Sequence, residues 1–525
     1  MSEDANEKIN WPILIVIIIG TFMAILDSSI VNVALPKMMV IFNASTDDIE
    51  WVLTAYMLTL GVIMPISGFL GDTFGYKRVY ISALALFVIG SGLCGMSLGV
   101  NTMVAARIIQ AIGGGVMQPL GMAMIYMNFP RSKIGMVLGF WGIAAMAAPA
   151  IGPTLGGYLV EYANWRLIFY INLPIGLLNL FLAGMILRET PLVKGKHFDL
   201  AGIITASLGL FSILLALSDG NKYGWSSPFI VGLLVMATLS LGFFVYNELH
   251  HPEPILDLRI FKNFIFTLSV IISSFLSIGM FGAIFLLPLL LQSVLGQTAM
   301  KTGLIMFPAA LASGIMMPIS GRLFDRYGAR GIVIFGLAIV TWSTFMMKDF
   351  NALTPFAAMT FLLTIRGAGM GLSMMPVTTA GMNVVPPHLI GRASALSNVV
   401  RQVSSSFGIA MFTMIMQNRQ VFHYAELTSS INLHSTAYSR MTSGLQHIST
   451  SLGLGSAGVK TLSYGLLAKQ LAIQSRILAI EDCFIVAAGM CLVALLMAWF
   501  LKPPATSLQF SDQRRAADAD QKLAS

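Results

Sequence analysis

Fourteen apolar runs, each set off from the next by charge, proline or glycine, constrain this chain more than any other feature of its sequence. They fall at roughly 11–35, 49–70, 79–98, 102–126, 136–160, 166–187, 200–218, 228–246, 263–291, 302–321, 331–347, 354–376, 394–416 and 480–501. About twenty apolar residues in a helix cross a bilayer core of ~30 Å. In lipid every backbone N–H and C=O must find its partner inside its own segment, so such runs are helical. The expected fold class is an all-α polytopic membrane protein. Composition agrees: 56% of the 525 residues are apolar and 10% are charged, against roughly 25% charged in a soluble domain. A soluble enzyme and a small anchored domain are both excluded. The first run is too long for a signal-peptide core and lacks a small-residue cleavage site, so it reads as an uncleaved first span.

The net charge is +8, but the basic residues are scattered through short loops, which points to membrane topology and away from nucleic acid. With both termini cytoplasmic, eighteen Lys and Arg fall on the inner side and five in short outer loops. Five more fall in the segment 417–479 and three within spans. That bias places the N- and C-termini inside. The three cysteines (Cys94, Cys483, Cys491) read as small buried residues. The seven histidines lie in loops or at span edges, so no metal site and no membrane-embedded catalytic centre is expected. No G-x-x-x-x-G-K-[ST] phosphate loop is present, which leaves direct ATP hydrolysis without its cradle.

An internal repeat divides the chain. MPISGFLGDTFGYKR at 64–78 matches MPISGRLFDRYGAR at 317–330 without a gap, pairing Asp72 with Asp325, Gly75 with Gly328 and Lys77 with Arg330. Arg107 in the fourth run is echoed by Arg366 in the twelfth. Two parallel six-span halves with a site between them are a transporter arrangement. The expected organisation is a tail at 1–10, a six-helix bundle at 11–187 and a linker with two extra spans at 188–262. A second bundle follows at 263–501, then a tail at 502–525. Residues 417–479 read as one long outer loop, with an interfacial helix expected around 464–473.

Asp27 is the only acid well inside the first run. A charge near the bilayer centre costs roughly 2.5–3.5 kcal/mol, so it must face the protein interior or water. Withdrawal from water favours the neutral acid, which suits a group that gains and loses a proton. Asp27 is therefore a candidate proton carrier, cation-substrate anchor, or both; a structural partner for a polar neighbour is the plainer alternative. Arg107 lies at a similar depth, and an Asp27–Arg107 contact would hold the acid ionised until the arginine moved away. An ion pair that only orients two helices stays open. Glu50, at the start of the second span, is a second candidate acid, although an exposed interfacial role suits it better. Tyr56, Gln110, Arg366, Met374, Arg401 and Gln402 are candidate pocket residues because they lie in or beside spans and offer polar or adaptable side chains.

Five motifs occur in order: AILDSSIVNVALPKM at 24–38, GFLGDTFGYKR at 68–78, RIIQAIGGGVMQP at 107–119, GPTLGG at 152–157 and WRLIFYINLPIG at 165–176. Over residues 10–500 this set resembles the major facilitator superfamily, in its fourteen-span drug:proton antiporter branch. The resemblance implies two six-helix bundles plus two extra helices, and proton-coupled export of hydrophobic, cationic drugs or toxic compounds. Export of one endogenous metabolite, lipid or siderophore is the alternative. It implies proton coupling through Asp27 and Arg107. It also implies a gating turn at Gly71, Asp72, Gly75, Lys77 and Arg78, with Asp325, Arg326 and Arg330 as its counterpart. Gly152, Pro153, Gly156 and Gly157 take the place of the antiporter motif. No cofactor is implied beyond the proton-motive force, with Na⁺ as the alternative driving ion. The partners implied are small hydrophobic substrates and the lipid bilayer of a bacterial cell membrane, joined by a periplasmic adaptor protein if the cell has two membranes.

Overall fold

The computed structural model describes residues 10–130, 133–190, 199–351, 353–429 and 456–501. Its helices in the first half are α1 (Trp11–Ile41), α2 (Thr46–Phe74), α3 (Tyr76–Met96), α4 (Val100–Asn128), α5 (Ile134–Tyr162), α6 (Leu167–Tyr170) and α7 (Asn172–Ile186). Two further helices follow, α8 (Leu200–Tyr223) and α9 (Pro228–His250). The second half comprises α10 (Phe264–Pro288), α11 (Ala299–Tyr327), α12 (Ala329–Met346), α13 (Phe356–Asn383), α14 (Ile390–Ser429) and α15 (Ser456–Ala498). Fourteen spans among the described residues are long and apolar enough to cross a membrane, α6 and α7 together forming the sixth. The chain is an all-helical, multi-pass membrane protein. Residues 1–9, Arg131, Lys194, Lys196, 430–455 and the tail 502–525 lie outside the described residues.

Polar residues mark several helix starts, as orphan N–H groups require. Ser45 accepts from the Asp48 N–H at 3.2 Å, and Asn263 accepts from Ile265 and Phe266 at 3.0 and 3.3 Å. Large apolar side chains such as Phe181, Leu239 and Phe361 point outward, as a lipid-facing surface demands. The repeat is reproduced in the backbone. α2 ends at Phe74 and α11 at Tyr327; Gly75 (φ 93°) and Gly328 (φ 76°) follow, and a new helix begins at once. Both turns occupy the left-handed region that favours glycine. The halves meet where α5 packs on α11 and α2 on α14, and α8 lies against both α2 and α14.

The last two spans are longer than hydropathy suggests. Residues 417–429 continue α14 and 456–479 belong to α15, so the expected outer loop is helical at both ends. Polar residues ended the apolar runs early, but they pair across the two helices. Asp482 accepts from Arg419 Nε at 2.5 Å and lies 2.8 Å from His423 Nε2. Residues 464–473 are accordingly part of a continuous helix and not a separate interfacial one.

Candidate functional site

α1 carries Asp27 and α4 carries Arg107, and the two meet in a site fully closed to solvent. Arg107 Nη1 donates to Asp27 Oδ2. Gln110, one turn along α4, accepts from the same Nη1 at 2.7 Å and donates to Asp27 Oδ1 at 2.8 Å. Asn172, at the start of α7, donates to Asp27 Oδ1 at 3.1 Å, and Ser91 of α3 accepts from Gln110 at 2.7 Å. The Arg107 guanidinium lies 3.8 Å from the centre of the Tyr56 ring, while its Nε donates to the Val52 carbonyl at 3.2 Å. Tyr56 in turn donates to the Ala24 carbonyl at 3.3 Å. One guanidinium N–H group, at Nη2, has no hydrogen-bond partner among the described residues.

Five helices thus converge on one carboxylate. The pair is neutral as a unit, and its hydrogen bonds repay part of the cost of removing two ions from water. Tyr56 and Gln110, expected at a substrate pocket, belong to this closed network. Asn172 and Ser91 were not singled out by the sequence. The signal available for Asn172 was an amide inside an apolar run, where an unpaired polar group is costly.

Glu50 lies elsewhere. It sits at the opposite end of α2 from the 71–78 turn, largely exposed, 3.8 Å from Lys222 Nζ; that ammonium is 2.5 Å from Asp47. Residues 152–157 press α5 onto α1 beside the site. A Cβ at Gly152 would lie 1.9 Å from Ser29 Oγ, and one at Gly156 would lie 2.8 Å from Ile30 Cγ1. Gly157, expected to share this packing, faces open space with nothing within 4 Å, because one residue further turns it off the α1 face. Pro153 lies within α5 between these positions.

At the turn end the two halves are fastened reciprocally. Asp72, closing α2, lies 3.7 Å from Arg392 Nε in the first turn of α14. Asp325, closing α11, accepts from the Gly135 and Met136 N–H groups in the first turn of α5. Each half's acid therefore meets the positive N-terminal end of a helix in the other half. A Cβ on Gly68 would lie 2.8 Å from the Gly391 carbonyl, and one on Gly321 would lie 2.1 Å from that of Gly135, so the backbones touch. The basic members of the motif do not cross. Lys77 donates to the Gly184 carbonyl at 2.8 Å and Arg78 lies 3.3 Å from Glu189, both within the first half. Gly71 packs against the Tyr76 ring, and Tyr76 donates to Asp72 at 2.8 Å. Arg326 stacks near Tyr327 and Arg330 near Trp499. Arg392 was read from sequence only as an inner-side charge.

In the second half, Arg366 of α13 donates to Thr344 Oγ1 and to the Gly279 carbonyl, each at 3.0 Å. Met374 is half-buried on α13, and Gln402 approaches the Met57 sulfur at 3.8 Å. Arg401 alone among the expected pocket residues lines a cavity. The cavity encloses about 450 Å³ of empty space between α10, α13 and α14, with Met122 of α4 closing it from the first half. Its polar groups include Ser269, Ser273, Ser274, Thr378, Asn398 and Arg401.

Residues 17–409 match the family model described as Major Facilitator Superfamily. The chain is 35% identical over 501 residues to the uncharacterized MFS-type transporter YhcA of Bacillus subtilis, covering 95% of this chain and 94% of that one. It is 32% identical over 493 residues to the multidrug export protein EmrB of Escherichia coli, covering 93% and 94%. Against the lincomycin resistance protein LmrB of Listeria monocytogenes it is 30% identical over 436 residues, covering 83% and 92%. Among solved structures, the proton:xylose symporter XylE shares the fold with a TM-score of 0.61 at 15% identity, covering 94% of this chain and 96% of that one. The chain belongs to the major facilitator superfamily and is a transporter, not an enzyme.

Proposed function

We propose that this superfamily member is a proton-coupled antiporter that exports hydrophobic drugs or toxic compounds across the bacterial inner membrane by alternating access. The observation that carries the reading is the closed Asp27–Arg107 pair, a carboxylate whose charge depends on the position of one arginine. The names of the multidrug and lincomycin relatives support the cargo class.

The turn end faces the cytoplasm in this reading, consistent with the Lys and Arg bias. With the turn end fastened through Asp72–Arg392 and Asp325–α5, Arg107 holds Asp27 ionised. α1 is pressed onto α5 at Gly152 and Gly156, and α5 packs on α11 of the other half. Rocking of the halves is thereby transmitted to α1. A small displacement of α1 from α4 separates the pair and leaves a lone carboxylate out of water, which is stable only once protonated. Gln110 and Asn172 can hydrogen-bond either form of the acid, so the site survives both states. Return of Arg107 expels the proton. A proton moving down a 100 mV potential supplies about 2.3 kcal/mol per charge.

Purified protein in liposomes, loaded with a hydrophobic fluorescent compound under an imposed pH gradient, tests this. Gradient-driven transport should be abolished in Asp27→Asn, while exchange of cargo down its own gradient persists. Full gradient-driven transport by Asp27→Asn would defeat the proposal.

A further inference from the structure

The cavity beside Arg401 carries a charge that the coupling site does not account for. Arg401 lies eleven residues into α14, about 16 Å along the helix, near mid-depth. Its side chain donates to Asn398 Oδ1 on the preceding turn, and it pairs with no carboxylate among the described residues. No acid lines the cavity. The remaining polar groups are neutral, and one of them, Ser269 Oγ, is buried without a hydrogen-bond partner. Phe266, Val270, Met122 and Met382 supply apolar walls.

A guanidinium withdrawn from bulk water without a counter-ion is unfavourable, and it is relieved by an anion that arrives with the ligand. The contrast with the two other buried arginines is instructive. Arg107 has Asp27, and Arg366 is held by a hydroxyl and a carbonyl, so neither has charge to offer. The expected cation anchor, Asp27, is closed off in its network and does not reach the cavity. The volume falls within the roughly 300–1,000 Å³ of ordinary small-molecule sites.

We propose that this cavity is the cargo site and that it selects amphiphiles with an anionic end group, a carboxylate or a chemically similar anion. Arg401 and the neighbouring hydroxyls hold the anion, and the apolar walls hold an aromatic or aliphatic body. The proposal rests on the export reading for its cargo role and replaces the cationic preference expected from the sequence.

The test uses purified full-length protein and three probes: 2-naphthoate, its neutral counterpart 2-naphthamide, and the cation tetraphenylphosphonium. Binding is read as the shift in thermal unfolding with ligand concentration, without any gradient. Wild type should bind 2-naphthoate at least about tenfold more tightly than 2-naphthamide, the difference expected of one charge-assisted contact. That preference should vanish in Arg401→Gln and survive in part in Arg401→Lys. Equal binding of the two naphthalenes by wild type, or tighter binding of tetraphenylphosphonium, overturns the proposal even if neither variant folds. So does an anion preference unchanged in a folded Arg401→Gln. The same probes in liposomes separate the two readings. Arg401-dependent binding without gradient-driven flux would remove proton-coupled export and leave the anion site standing. Gradient-driven export of tetraphenylphosphonium alone would keep export and remove the anion site.

Discussion

The fourth helix of each half buries an arginine, and the surroundings of the two arginines differ by a single carboxylate. Arg107 meets Asp27 of its half's first helix, whereas Arg366 reaches the corresponding helix at the Gly279 carbonyl. Adding the 253-residue offset of the repeat to Asp27 lands on Met280, next to Gly279, so the second half keeps the geometry and lacks the acid. A guanidinium held by neutral acceptors has one charge state and serves as a fixed brace. A guanidinium paired with an acid forms a unit whose charge changes when the partners separate. The first half is equipped to handle protons, and the second is free to shape a cavity.

Substitutions should break this asymmetry in graded fashion. The largest effect is expected for Arg107→Ala, which strands a buried carboxylate. Loss of one partner from a buried pair costs on the order of 3–5 kcal/mol. Gradient-driven transport in liposomes should disappear, and thermal unfolding should recover at low pH as Asp27 protonates. Next is Arg366→Met in the second half. It removes two charge-assisted hydrogen bonds, so stability should fall by about 2–3 kcal/mol while gradient-driven transport persists in whatever protein folds. Transport lost in Arg366→Met with the fold intact would erase the distinction between the halves.

A smaller effect separates two glycines within one motif. Gly156→Leu drives a side chain into Ile30 and should cost about 1–3 kcal/mol and slow export sharply, whereas Gly157→Leu should be nearly silent. Equal export rates for both would show that the α1–α5 contact is dispensable. The smallest difference concerns the two fastenings at the turn end. Asp72→Asn removes the charge facing Arg392, whereas in Asp325→Asn the amide oxygen can still accept from Gly135 and Met136. Label-to-label distances between the turn ends of α2 and α14 should widen more in Asp72→Asn, by a population shift worth about 1 kcal/mol.

The fold was legible because lipid leaves the backbone so little choice. The spans, the repeat and its glycine turns all follow from apolar length and from positive φ. Asp27 and Arg107 were legible because ions at that depth must find partners. Less visible were groups that signal nothing alone. Ser91 and Asn172 are neutral, and their value lies in where α3 and α7 place them. Arg392 looked like one loop charge among many until α2 and α14 came together. The extensions of α14 and α15 were hidden because Arg419 and His423 interrupt the apolar run, yet both are satisfied by Asp482 sixty residues away. Arg401 was visible as a residue, while its freedom from any acid depends on three helices packed in space.

The central claim is that Asp27 changes protonation state when it leaves Arg107. Infrared difference spectra of purified protein, taken as pH is lowered, report the carbonyl band of a protonated carboxylic acid directly and without any cargo. The account predicts a band in wild type that is missing in Asp27→Asn and that appears at higher pH in Arg107→Ala. Identical spectra for wild type and Asp27→Asn across the titration would contradict it.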